Sequence, residues 1–196
     1  MKKVLLIFCL SISVKSFSQT SYEDSLKTFL KAYVQNHEVV KGNDKEKLDF
    51  YEVNKAYRVI AHFKPSQKSD WLSFKTSGTK TKVFKLYGTL SFTLNNQSCQ
   101  LNVYQPQELI NNEAYKNYLF LPFTDATTGD ETYISGRYLD LATTEIKNGE
   151  TTLDFNKAYN PYCAYVSGVY NCPIPPKENA LTVAIKAGEK NIKSRH

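Results

Sequence analysis

Histidine is scarce in this chain. His37, His62 and His196 are the three present, and none stands beside a serine or cysteine in a nucleophile-elbow setting, so a histidine-assisted triad has no support. Glycine is thin as well, with eight scattered residues and no phosphate-cradling loop. No apolar run approaches the roughly 20 residues that a membrane-spanning helix needs. Arginines do not cluster and no basic stripe is interleaved with aromatics, which removes the phosphate-tracking surface that nucleic acid requires. Methionine and tryptophan occur once each, against 14 Tyr and 11 Phe, a bias that suits half-buried twisted strands. With 41% hydrophobic and 22% charged residues, the composition is globular, and 196 residues fit a single domain.

The N-terminus carries an export layout. Lys2 and Lys3 precede the apolar run Val4 to Val14, and Ser16-Phe17-Ser18 offers small residues where a signal peptidase reads. The reading is a signal peptide over 1–18, cleaved after Ser18, then one β-rich domain over 19–196 in the periplasm or outside the cell. Cys9 lies inside the apolar run after Phe8, a poor position for a lipoprotein anchor. Losing Lys2, Lys3 and Lys15 leaves 22 basic against 19 acidic side chains, so much of the formal +6 belongs to the leader. Cys99, Cys163 and Cys172 remain, in a compartment that permits disulfides.

Along the mature chain, Ser21 and Asp24 resemble a capping box. Leu26, Phe29, Leu30, Tyr33, Val34 and His37 then recur at helical spacing, predicting one amphipathic helix that ends near Gly42 and packs on the sheet. From Tyr57 the period falls to two. Strands are expected over 57–64, 71–74, 82–87, 89–94, 99–104, 118–123, 132–139 and 180–187, with hairpin turns at Asn95-Asn96-Gln97 and at Thr127-Thr128-Gly129-Asp130. The pattern predicts a mainly β fold, an antiparallel barrel or sandwich. Residues 142–179 have no sustained period but are rich in Tyr, Asn and Pro, the composition of a long ordered C-terminal loop.

Gly136-Arg137-Tyr138-Leu139, the run Asp154 to Tyr165, Cys172-Pro173 with Pro176, Glu178-Asn179 and Ala187-Gly188-Glu189-Lys190 resemble, in that order, the family called domain of unknown function 1684. Leu121 to Asp125, Thr128-Gly129 and Thr132-Tyr133 extend the resemblance, which covers about Tyr57 to Lys190. It implies no activity, substrate or cofactor. Cys163 and Cys172, nine positions apart, are disulfide candidates, with a redox or metal role left open. Two Cys without a His make a weak zinc site, and the acids around Gly129 lack the spacing of a calcium loop.

The polar residues of this stretch, Arg137, Asp154, Asn156, Asn160, Glu178, Asn179, Glu189 and Lys190, with Tyr138 among them, form either a network pinning an irregular loop or a pocket for an anionic or sugar ligand. Arg137 is expected to share a strand face with Tyr133 and to meet a carboxylate carried by the loop. These features favour a binding or accessory module with a small polar-aromatic pocket for a small molecule or saccharide. The alternatives are an extracellular hydrolase using a carboxylate pair, such as Asp154 with Glu178 or Glu189, and a purely structural envelope protein. Catalysis and oligomeric state stay open, and no cofactor or metal is indicated.

Overall fold

A computed structural model describes residues 15–68 and 70–192, and of 15–20 the backbone alone. Most of the leader read from the sequence lies outside the described residues. One helix, α1 (Lys15–Asn36), precedes seven strands: β1 (Arg58–Pro65), β2 (Trp71–Phe74), β3 (Lys82–Leu94), β4 (Gln97–Pro106), β5 (Tyr118–Phe123), β6 (Arg137–Ala142) and β7 (Glu150–Asp154). They form one curled antiparallel sheet in the order β6-β5-β4-β3-β1-β7, with β2 on the free half of β3, so the fold is mainly β and half-barrel in shape. Among the described residues no helix is long and apolar enough to cross a membrane.

The helix ends sooner than the apolar spacing predicts, at Asn36 rather than near Gly42, and Ser21 lies within it rather than at its start. His37 follows the last turn and accepts hydrogen bonds at Nδ1 from the Val40 N–H (2.9 Å) and the Val39 N–H (3.3 Å), turning the chain away. Leu26 is buried, while Phe29 at the same face is 41% exposed.

Strand β3 runs through the expected break at Gly88 without interruption. Its pairing with β4 shifts between Leu86 and Gly88, a bulge at Tyr87 that inverts which face each later residue occupies. Phe84 and Leu86 therefore lie on one face with Tyr104, while Leu90, Phe92 and Leu94 lie on the other with Cys99, Leu101 and Val103. Gly88 is required here, because a Cβ would stand 2.6 Å from the Lys64 carbonyl and 2.3 Å from the Phe63 ring. The β3–β4 hairpin turns through Asn95 (φ 50°) and Asn96 (φ 61°), two left-handed residues of the kind that asparagine tolerates.

The main core combines Leu90, Leu101, Leu121, Phe123, Leu139 and Leu153 from the sheet with Val183, Ile185 and Ala187 from the C-terminal segment. That segment, expected as a strand over 180–187, has none of the regular ladder, apart from a bridge between Ala180 and Thr124. Its carbonyls turn inward instead. Arg137, 0% exposed on the core face of β6, donates from Nη1 to the carbonyls of Ala187 (2.6 Å) and Glu189 (3.1 Å) and from Nη2 to that of Ile185 (2.8 Å). Its carboxylate partner is Asp125, at 3.3 Å from Nη2, with both side chains fully buried. The carboxylate thus comes from the β5–β6 connection and not from the 142–179 loop.

Asp125 also reshapes that connection. Its carboxylate accepts from the Thr127 hydroxyl (2.9 Å), the Thr128 hydroxyl (3.2 Å) and the Ile185 N–H (2.6 Å). Residues 124–136 become a loop of turns, so neither the hairpin at 127–130 nor a strand beginning at Thr132 forms, and β6 starts at Arg137. The long C-terminal loop is also shorter than its composition implies, since Glu150–Asp154 pairs with β1 as the last strand.

Arg137→Ala leaves Asp125 buried without its cation and three carbonyls without donors. The substitution should lower stability by about 3–5 kcal/mol, read as a shift in the urea midpoint.

Candidate functional site

Beyond the bulge, the sheet face opposite the main core is aromatic. Phe74, Phe84, Tyr104, Phe120 and Tyr138 pack there, with Tyr118 and Tyr159 beside them. Tyr159 reaches this face because its segment folds back over β6, trading backbone hydrogen bonds with Tyr138 in both directions (2.9 and 3.0 Å). The disulfide between Cys163 and Cys172, Cα atoms 6.3 Å apart, closes the rest of that loop, and Cys99 is buried and free. Phe29 and Tyr33 of α1 supply a further wall. Together they bound a cleft of about 1260 Å³.

Asp140 stands on this face, two residues after Tyr138 on β6. The Tyr118 hydroxyl (2.8 Å) and the Tyr159 hydroxyl (2.7 Å) both donate to its Oδ1. The carboxylate is open to the water of the cleft yet ringed by protein, and the loss of bulk solvation raises its pKa above the ordinary value against the lowering effect of the two phenols. Burial and the nearby charge of Asp140 push both phenols upward in turn, which keeps them neutral donors. The alternation along β6 carries the signal for this site: Arg137, Leu139 and Leu141 face the core, so Tyr138 and Asp140 must face the other way. Asp140 and Tyr118 are absent from the set of polar residues that the sequence singles out.

That set is divided by the fold. Arg137, Asn160 and Glu189 come together in the interior, with the half-buried Lys190 beside them. Glu189, 1% exposed, accepts at Oε2 from the Asn160 N–H (2.9 Å) and the Tyr33 hydroxyl (3.1 Å), and at Oε1 from the Tyr165 hydroxyl. The Asn160 side chain donates to the Lys190 carbonyl (2.7 Å), and the Lys190 ammonium meets Asp49 at 3.0 Å. Asn179 is elsewhere. Its side chain exchanges two hydrogen bonds of 2.8 Å with the Asn102 backbone and donates to the Pro122 carbonyl (2.6 Å), bridging β4 and β5 where their direct pairing is confined to Tyr104 and Phe120.

Asp154 and Asn156 bind the helix. Tyr22 donates to Asp154 (2.9 Å), while Asn156 Nδ2 donates to the Tyr22 hydroxyl (3.1 Å) and the Asn54 carbonyl (3.0 Å). Glu178 is exposed. Glu189 is buried, Glu178 is on the exposed surface and Asp154 is on the cleft wall with Tyr22, so of these three acids Asp154 alone lines the cleft. Tyr138 lies at the cleft, with its hydroxyl donating to the Pro173 carbonyl. Among the described residues no group of His, Cys, Asp and Glu is placed to hold a metal ion.

The model of a family described as a protein of unknown function, DUF1684, matches residues 44–190, which takes in β1–β7 and the loop over the cleft. The chain belongs to the DUF1684 family. This DUF1684 protein is also similar to the solution NMR structure of an uncharacterized protein of Haloarcula marismortui. The two share 30% identity with a TM-score of 0.65, over 88% of this chain and 96% of that one. No curated protein matches it.

The Glu189 node sets a pH dependence. Burial outweighs the three hydrogen bonds and Arg137, and its pKa is pushed from 4.5 up to about 7. Between those values the folded state keeps a proton that the unfolded chain has released, so stability falls as pH rises through this window and levels off above it. Urea midpoints of the parent and Glu189→Gln proteins should diverge by roughly 3 kcal/mol from pH 4.5 to pH 7, the Gln protein gaining relative to the parent.

Proposed function

We propose that this DUF1684 protein is an exported binding or accessory module that takes up a small molecule in the cleft over Asp140. The observation that carries the reading is a carboxylate held by two phenols on an aromatic floor, inside a cleft of about 1260 Å³, a size that accommodates small organic ligands. A purely structural envelope protein has no need of such a concavity.

A hydrolase working through two carboxylates would need a second one poised opposite Asp140. The other acids that line the cleft are engaged elsewhere: Glu108 with the Lys82 ammonium (2.6 Å), Glu145 with the Ala142 N–H (2.9 Å) and Asp154 with Tyr22. Binding without turnover is therefore the favoured reading. Export is supported by the signal-like leader and agrees with a disulfide in the loop that covers the cleft.

The test is a titration of isotope-labelled protein with a panel of neutral, anionic and cationic small molecules, saccharides included, followed by two-dimensional NMR. Amide resonances of Tyr118, Phe120, Asp140 and Tyr159 should shift together and saturate with at least one compound. A panel that moves none of them, or moves only sites away from the cleft, overturns the reading.

A further inference from the structure

We infer that the cleft selects an organic cation, an ammonium or guanidinium group carried on a small apolar body. This rests on the cleft being a binding site and adds the chemical class of what it binds.

The inference comes from an inventory of hydrogen-bonding capacity. Six tyrosines line the cleft, and such a surface ordinarily offers phenolic donors as well as acceptors. Here five of the six phenols already donate to protein acceptors. Tyr118 and Tyr159 donate to Asp140, Tyr138 to the Pro173 carbonyl, Tyr33 to Glu189 and Tyr162 to Glu38. What these groups still present to an occupant is oxygen lone pairs and the faces of rings.

Asp140 completes the pattern. Both phenols go to Oδ1, and Oδ2 makes no hydrogen bond with any described residue. Among the described residues no lysine or arginine pairs with it. The lysines on the cleft wall are engaged or set apart, Lys82 with Glu108 at 2.6 Å and Lys157 over the Phe29 ring at 5.0 Å, while Lys80 is exposed. A carboxylate on the wall of a cleft, with no counter-ion among the described residues, is complemented by a cation that brings its own donors or soft positive surface. The rings around it supply the rest: Tyr138 lies 4.7 Å from Phe120 and 5.8 Å from Tyr159, centroid to centroid and edge to face, so the floor beside Asp140 is a packed aromatic cluster, and whatever ring surface it leaves toward the cleft suits a cation. A sugar, whose hydroxyls need donors and acceptors in alternation, finds the phenolic donors around Asp140 already committed. A metal ion finds no group of three ligands among the described residues.

The experiment uses the tetramethylammonium ion, its neutral near-isostere tert-butanol, and maltose, titrated at constant ionic strength with the NMR readout described above. Tetramethylammonium should shift the Tyr118, Asp140 and Tyr159 resonances with an affinity at least about tenfold above that of tert-butanol or maltose, and Asp140→Asn should remove that advantage. Thermal unfolding of Asp140→Asn checks that the variant is folded.

Should it fail to fold, a pH series on the parent protein replaces it. Affinity for tetramethylammonium should fall on acidification as Asp140 takes up a proton, with a midpoint raised from the ordinary aspartate value. Burial keeps the facing phenols Tyr118, Tyr138, Tyr159 and Tyr162 neutral throughout, and the other acids on the cleft wall, Glu108, Glu145 and Asp154, are held by Lys82, the Ala142 N–H and Tyr22, which leaves Asp140 as the carboxylate that meets the guest. Equal binding of tetramethylammonium to parent and Asp140→Asn, or a preference for maltose that Asp140→Asn leaves unchanged, overturns the cation assignment while the cleft stands as a binding site. Silence from every compound in the wider panel removes both.

Discussion

The Arg137 guanidinium carries a full charge with no exposure to water, and it remains in the interior because three backbone carbonyls and Asp125 surround it. A charge so placed is expensive unless buried partners meet it, and here they meet Nη1 and Nη2 while Nε has no partner. That requirement determines the path of two otherwise irregular segments. The stretch after Asn179 must bring the carbonyls of Ile185, Ala187 and Glu189 to one point, and the β5–β6 connection must bring Asp125. In meeting it, Val183, Ile185 and Ala187 are delivered to the open side of the main core, and Glu189 is carried to the Asn160, Tyr33 and Tyr165 donors.

The cleft depends on a second constraint, the bulge at Tyr87. Without it the apolar even-numbered residues of β3 would all face one way, and the sheet would have a single buried surface. The bulge splits them, so that one strand supplies Leu90, Phe92 and Leu94 to the core and Phe84 and Leu86 to the opposite face. The partner strands follow by ordinary alternation: Leu119, Leu121 and Phe123 on β5 turn inward while Tyr118 and Phe120 turn to the cleft. The helix and the disulfide-closed loop then wall off that second face.

Sequence periodicity reveals strands whose environment is two-sided. The strands at 71–74 and 118–123 coincide with their alternation, and β1 begins one residue later than expected. It fails where a side chain redirects the backbone. Thr132 to Gly136 alternates like a strand, yet Thr132 bonds back to Thr127 and Gly129, and the Gly136 N–H to the Tyr133 carbonyl, which folds this stretch into turns. Residues 180–187 alternate as well, but beyond backbone hydrogen bonds to Thr124 and Ala126 their partners are a guanidinium and a carboxylate rather than a neighbouring strand. Strand β7 is hidden by its polar composition, Glu150-Thr151-Thr152-Leu153-Asp154, and by the aperiodic sequence that follows it. Of the polar residues conspicuous in the sequence, Arg137, Asn160, Asn179 and Glu189 hold the fold together, because dense Asn, Arg and Glu in an aperiodic loop must satisfy backbone groups. Asp140 is inconspicuous as a lone acid, and its placement becomes legible once β6 is known to begin at Arg137.

The hydrogen bonds of the cleft phenols have an entropic meaning. A tyrosine whose hydroxyl is already held by a protein acceptor has few orientations left to lose, and the disulfide removes further freedom from the loop beside it. A guest therefore meets walls that are ordered before it arrives. Little of the ordering penalty of association falls on the protein, which leaves affinity governed by how rigid the guest itself is and by how readily it gives up its hydration.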